Sequence, residues 1–143
     1  MPTLSAALSA SGSALTAQRT RVEVAVSNLA NAESTRGADG QPYRRRDVVL
    51  ASAPENSFAA AMGEAGATGV RVDAIVEDTA AFRRRYDPAH PDADPDGFVA
   101  MPNVDLPEEM VDMLSAARAY QANLTAIGLI RDLIQNALEL GKS

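Results

Sequence analysis

Cysteine and tryptophan are missing from this 143-residue chain, and histidine occurs once, at His90. Without cysteine there are no disulfides and no thiolate metal sites, and either redox compartment is tolerated. One histidine cannot build a multi-histidine metal centre, and it leaves a Ser-His-Asp arrangement without partners. Flanked by Pro88 and Pro91, His90 reads as a turn residue donating to a backbone carbonyl. Three tyrosines and three phenylalanines are the only aromatics, so a monomer made of these pieces has a thin core. No apolar run approaches the roughly 20 residues that span a bilayer, which argues against direct membrane insertion. The first basic residue is Arg19, so the N-terminus also lacks the basic start and apolar core of a cleaved signal. Positive charge is scarce as well: 13 basic against 19 acidic residues give −6. Nucleic acid is a poor partner for such a surface, because phosphate affinity comes largely from net positive charge.

What the chain does have is periodicity. Leu106, Met110, Met113, Ala117, Tyr120, Leu124, Ile127, Ile134 and Leu138 recur at steps of four and three, with Arg131 the one interruption. Such a stripe marks a long helix that buries one seam against another helix. Near the other end Leu4, Leu8, Leu15, Val22, Ala25 and Leu29 repeat the spacing, with Ser11 and Gln18 as softer positions. The two seams are expected to pair, within one molecule or between copies. Alanine and serine along them let helices approach closely and favour dense packing among many copies. Asp105 is a good N-cap, Glu108 completes a capping-box pattern, and Pro107 lies in the first turn. Glu108 and Glu109 also suit the positive end of the helix dipole.

The predicted fold is mainly α with a small β element. Long N- and C-terminal helices (1–33 and 105–143) pair as a coiled coil or bundle around an irregular, hairpin-like middle segment (34–104). Within that segment Ser34–Gln41 is a loop turning at Asp39-Gly40, and Pro42–Leu50 is extended. Residues 51–69 are expected to be mobile, with Phe58 and Met62 anchoring at most a helical turn. Val70–Val76 alternates like a half-buried strand, which Phe82–Tyr86 is expected to continue, and Phe98–Met101 adds a short last strand. The prolines and aspartates of 87–96 preclude regular structure there.

Few constellations suggest chemistry. Asp92, Asp94 and Asp96 with Gly97 and Val99 match positions one, three, five, six and eight of an EF-hand calcium loop. Position twelve is Asn103, however, and Pro88, Pro91 and Pro102 prevent flanking helices, so a proline-stiffened turn with aspartates capping amides is the competing reading. Adjacent Glu108 and Glu109 point to different helix faces and fit capping better than paired acid–base work. The triplet Arg44–Arg46 fits a solvated strand edge or an acidic neighbour across an interface. The acidic stretch after Tyr86 is placed to neutralise Arg83–Arg85. Met110 and Met113 read as seam packing. No constellation supports an enzyme, and no cofactor or metal ligand set is assigned.

Ser27-Asn28-Leu29-Ala30-Asn31-Ala32 at the end of the first helix, then Gly40-Gln41-Pro42-Tyr43-Arg44-Arg45, resembles the bacterial flagellar rod and hook family. The run Tyr86–Asp94, then Gly97-Phe98-Val99 and Met101–Val104, narrows the resemblance to the proximal rod type. So do Glu108–Asp112 and Arg118–Asn123. The likeness runs nearly end to end and lapses in 51–69. Glu33 and the Arg36–Asp39 loop depart from the pattern.

That resemblance implies a structural subunit of the basal-body rod, exported without a cleaved signal through the flagellar type III apparatus and polymerising in the periplasm. Implied partners are copies of itself, other rod proteins and the base adaptor between rod and export gate. The terminal helices would form the layer around the export channel. The assembly residues expected are Leu4, Leu8, Leu15, Val22, Asn28, Leu29 and Asn31 on the first helix. On the last helix they are Leu106, Met110, Met113, Tyr120, Asn123, Leu124, Ile127, Ile134 and Leu138. A distal rod or hook component, or a calcium-binding helical module, is the alternative.

Overall fold

The computed structural model describes residues 4–53 and 68–141. Of the expected mobile stretch 51–69, residues 54–67 with Phe58 and Met62 lie outside the described residues. Its ends are regular, because 51–53 close one strand and 69 opens another, hydrogen-bonded into a sheet. In chain order the elements are α1 (Leu4–Ala30), β1 (Arg46–Ala53), β2 (Gly69–Glu77), β3 (Arg83–Tyr86), β4 (Phe98–Met101) and α2 (Leu106–Leu140). The two long helices pair, and the strands form two small two-stranded sheets, β1 with β2 and β3 with β4. The protein is mainly helical with a small β element.

Each helix ends for a local reason. Asn31 folds its amide back onto the Ser27 carbonyl at 2.9 Å and accepts from Ser34 Oγ at 3.1 Å, taking up groups that the last turn of α1 leaves open. At the start of α2 the Glu108 amide donates to Asp105 Oδ1 at 3.2 Å, so Asp105 is the N-cap. Gly141 closes the other end by donating to the Ala137 carbonyl.

Strand β3 does not continue β2. Asp78 interrupts the path by donating its backbone N–H to the Arg45 carbonyl, while its Oδ1 accepts from Ala80 N at 2.8 Å in a tight Asx turn. The chain re-enters extended structure at Arg83 and pairs antiparallel with β4, Arg83 opposite Met101 and Tyr86 opposite Phe98. The connection between them requires glycine at 97. Its φ is +81°, and a Cβ there would lie 2.9 Å from Cε2 of Tyr86.

The chain divides into two compact units. The first comprises Met1–Thr20, Val49–Ala74 and Ser115–Ser143. Its fully buried apolar residues, among those described, are Ala17 and Ala116. Ser13 tethers strand to helix there, donating to the Ala10 carbonyl and accepting from Val70 N at 3.1 Å. The second unit comprises Arg21–Val48 and Ile75–Leu114. It holds the better core: Val99 and Val104 are fully buried, Met101 nearly so, and Ala25, Ala32 and Pro102 are buried as well.

Truncating Val99 removes two methylene equivalents from a packed site. Val99→Ala should therefore cost about 1.5–3 kcal/mol. Leu133→Ala, on an exposed position, should cost under roughly 0.5 kcal/mol. Denaturant midpoints of the two variants check both values.

Candidate functional site

A buried polar node joins the end of α1, the approach to β1 and the first turn of α2. Asn28 is 1% exposed and uses its whole amide. Its Nδ2 donates to the Arg46 carbonyl at 2.8 Å and to Glu109 Oε2 at 2.9 Å. Its Oδ1 accepts from Arg46 N at 3.0 Å and from the Tyr43 hydroxyl at 2.9 Å. Glu109, also 1% exposed, gives its other oxygen to Arg45 Nε. Asp112 and Glu108 lie 3.5 and 3.8 Å from the same guanidinium.

The backbone around Arg45 is clamped as well. Arg45 N donates to Asn103 Oδ1 at 2.9 Å, and the Asn103 amide bonds the Asp78 carbonyl. Burial works against the Arg45 charge, but the hydrogen bond and attraction of Glu109, aided by Glu108 and Asp47, outweigh it and hold the guanidinium pKa above its ordinary value. Among the described residues no buried side-chain nitrogen or oxygen lacks a partner.

Periodicity does not reveal this node. Glu109 points inward onto Arg45, so it is an ion-pair residue more than a capping one. Arg45 is drawn inside the chain by it, and the Arg44–Arg46 triplet is not a uniformly solvated edge. Arg44 lies over the Phe82 ring at 4.3 Å, and Arg46 reaches Glu77 at 3.7 Å. Two residues of the second triplet are neutralised as its surroundings suggest, Arg84 by Asp94 and Arg85 by Asp87, while Arg83 donates to the Pro102 carbonyl.

Within the aspartate-rich turn, Asp92 and Asp94 spend their carboxylates on the chain itself. Asp94 Oδ1 accepts from Phe98 N at 2.8 Å and Asp96 N at 3.0 Å, while its Oδ2 meets Arg84. Asp92 takes Thr35 Oγ1 at 2.9 Å and Arg36 at 3.3 Å. No group of three or more His, Cys, Asp or Glu side chains gathers as a metal site among the described residues. The His90 backbone N–H donates to the Asp87 carbonyl at 3.2 Å, but the imidazole acts differently from the expected carbonyl donor. Its Nδ1 accepts from Asp92 N at 3.1 Å, because the turn aims that amide at the ring.

The expected assembly residues fall into three environments. Asn28 is in the node. Leu15, Val22, Leu29, Asn31, Met113, Asn123, Ile127 and Ile134 are half-buried. Leu4, Leu8, Leu106, Met110, Tyr120, Leu124 and Leu138 are exposed. The inward face of α2 runs instead through Glu109, Met113, Ala116, Asn123, Ile127, Ile130 and Ile134, rotated from the leucine stripe. A second exposed apolar row lies on its outer side. Val111, Leu129 and Leu133 are 66%, 61% and 56% exposed there, and the four-and-three stripe from Leu106 does not include them.

Glu109→Gln leaves a largely buried guanidinium without its main counter-charge and should cost roughly 2–4 kcal/mol. Asp112→Asn, at a more open position, should cost under about 1 kcal/mol. Equilibrium unfolding of both proteins tests this order. Asp94 supplies a second check. The Phe98 amide, then desolvation against and Arg84 in favour, together lower its pKa. Its contribution is complete above the ordinary carboxylate range and is lost as pH falls through the lowered value. Amide exchange at Phe98 should hold through ordinary carboxylate titration and rise only in stronger acid.

The family model described as flagella basal body rod protein matches residues 8–38, which hold Asn28. The one described as flagellar basal body rod FlgEFG protein C-terminal matches residues 96–140, which hold Glu109 and the whole of β4 and α2. The flagellar basal-body rod protein FlgC of Bacillus subtilis is 46% identical over 145 residues, covering 94% of this chain and 96% of that protein. FlgC of Salmonella typhimurium is 45% identical over 131 residues, with 92% of each chain covered. FlgC of Borreliella burgdorferi is 39% identical over 147 residues, covering 96% and 97%. On identity of this level along almost the whole length, the chain belongs to the FlgC family of flagellar basal-body rod proteins.

Proposed function

We propose that this chain is a structural subunit of the proximal rod of the flagellar basal body, built into a polymer through its two helices, and is not a catalyst. The observation that carries this reading is the apolar surface left on α2 after its inward face is satisfied. Met110, Val111, Leu114, Leu124, Leu129, Leu133 and Leu138 all stand exposed in the single chain. A helix apolar on several faces belongs inside an assembly. The names of the relatives support the basal body as its place.

Neighbouring subunits then supply what the chain lacks. Contacts between unlike faces propagate helically instead of closing into a dimer, which suits a rod. Each leucine or isoleucine fully covered contributes roughly 1.5–3 kcal/mol. The neighbours are copies of this chain, other rod proteins and the base adaptor that joins rod to export gate. The helices line the export channel, and the chain reaches the periplasm through the type III apparatus. No described helix is long and apolar enough to cross a membrane, and the net charge of −6 does not favour nucleic acid.

Two substitutions separate assembly from folding. Leu124→Asp, on an exposed position, should leave helix content and melting nearly unchanged yet abolish rod assembly and swimming. Ile127→Asp, half-buried in the chain, should lower melting as well. Normal swimming of a Leu124→Asp strain would overturn the reading.

A further inference from the structure

We propose that Asn28, Arg45 and Glu109 are positioning residues that pin the register of α1 against α2, and so aim the outward apolar row of α2 for assembly. The second half of this inference rests on the subunit reading above. The first half stands on the fold alone.

The large apolar side chains on the facing sides of the helices, Leu15, Val22 and Leu29 on α1 and Met113, Ile127 and Ile134 on α2, are only half-buried and constrain alignment weakly. Every fully buried apolar residue described on them is alanine: Ala17, Ala25 and Ala116. Large apolar side chains interlock as knobs in holes and resist sliding, whereas methyl groups do not. Along α1 the half-buried Ala10 and Ala14 precede Ala17 at helical spacing. A slip of one turn there exchanges methyl for methyl, at little loss of packing.

The node has no such tolerance. Asn28 uses both donors and both acceptors, with Glu109 on one side and the Arg46 backbone on the other. Glu109 divides its oxygens between Asn28 and Arg45. Sliding α2 by one turn, about 5.4 Å, separates Glu109 from both Asn28 and Arg45 and strands a carboxylate that is 1% exposed. A buried ion pair adds little net stability against an apolar replacement, but an unmatched one is heavily penalised. That asymmetry discriminates against wrong alignments without needing to stabilise the right one, as a single polar residue does in a coiled-coil seam.

The absence of cysteine makes the test direct. Val26→Cys and Val111→Cys, both at exposed positions of the second unit, carry spin labels on the full chain. With the node intact, pulsed dipolar spectroscopy should give one distance. Adding Asn28→Leu, Arg45→Met and Glu109→Leu should keep cooperative melting and yield a second distance displaced by about 5 Å. A single unchanged distance in that variant overturns the proposal. Loss of cooperative folding also overturns it, since the node would then supply stability and not alignment. The milder pair Arg45→Gln with Glu109→Gln, which keeps polarity without charge, should broaden the distance distribution; a width equal to wild type counts against the pin. Swimming assays of the triple variant address the second half. Two distances with lost swimming support it, and two distances with normal swimming overturn the aiming role while leaving the subunit reading intact.

Discussion

A carboxylate buried in the first turn of a helix is the constraint around which this chain is arranged. Glu109 cannot stay charged away from water unless a cation and further donors reach it. Arg45 supplies the cation and Asn28 a donor, and each brings a different stretch of chain with it. The Arg45 amide is held in turn by Asn103, whose own amide holds the Asp78 carbonyl. Satisfying one buried charge thus fixes the end of α1, the entry to β1, the break between β2 and β3, and the approach to α2. Polar satisfaction, more than apolar volume, organises this half of the molecule.

The apolar residues are placed in a complementary way. Among those described, alanines fill the helix seams, while the valines and methionine at 99, 101 and 104 build the one dense core. Leucines are left largely outside. In a self-sufficient bundle this ordering would be inverted, because leucine repays burial far better than alanine does. A seam of small residues permits close helix approach and leaves the larger side chains for surfaces that a neighbour covers. The distribution is economical for a polymer and wasteful for a monomer, which is the physical content of the subunit reading.

Much of the architecture was legible because it follows from local signals. Period and caps place both helices within a residue or two at Asp105 and near Ala30. Alternation places β2, and the short run at 98–101 places β4. The inward face of α2 was not legible, since it is lined by Glu109, Ala116 and Asn123 as well as isoleucines. A stripe drawn through leucine and methionine ranks those three residues last and so rotates off the true seam. The partners of Asn28 and Glu109 lie 18 and 64 residues away, at Arg46 and Arg45. Such pairings follow from how the turns fold, and no periodicity encodes them. The aspartate turn shows the converse case: its spacing imitates a calcium loop, but Asp94 is committed to the Phe98 and Asp96 amides and to Arg84.

Charge completes the picture. The two arginine triplets, which are the local exceptions to an acidic composition, are largely spent inside the chain on Glu109, Asp94, Asp87, Glu77 and an aromatic face. What copies of this chain present to one another is therefore the remaining net negative charge of −6. Like charge repels at a distance, over about 8–10 Å at physiological salt, while apolar contact acts only on touching. On the subunit reading, the same net negative charge that disfavours nucleic acid opposes close approach of solitary subunits. Association becomes favourable where a growing end presents several apolar faces at once, because the gain from each covered leucine adds while the repulsion is screened. On the subunit reading, net negative charge combined with exposed leucines favours growth at an existing end over clumping of free chains.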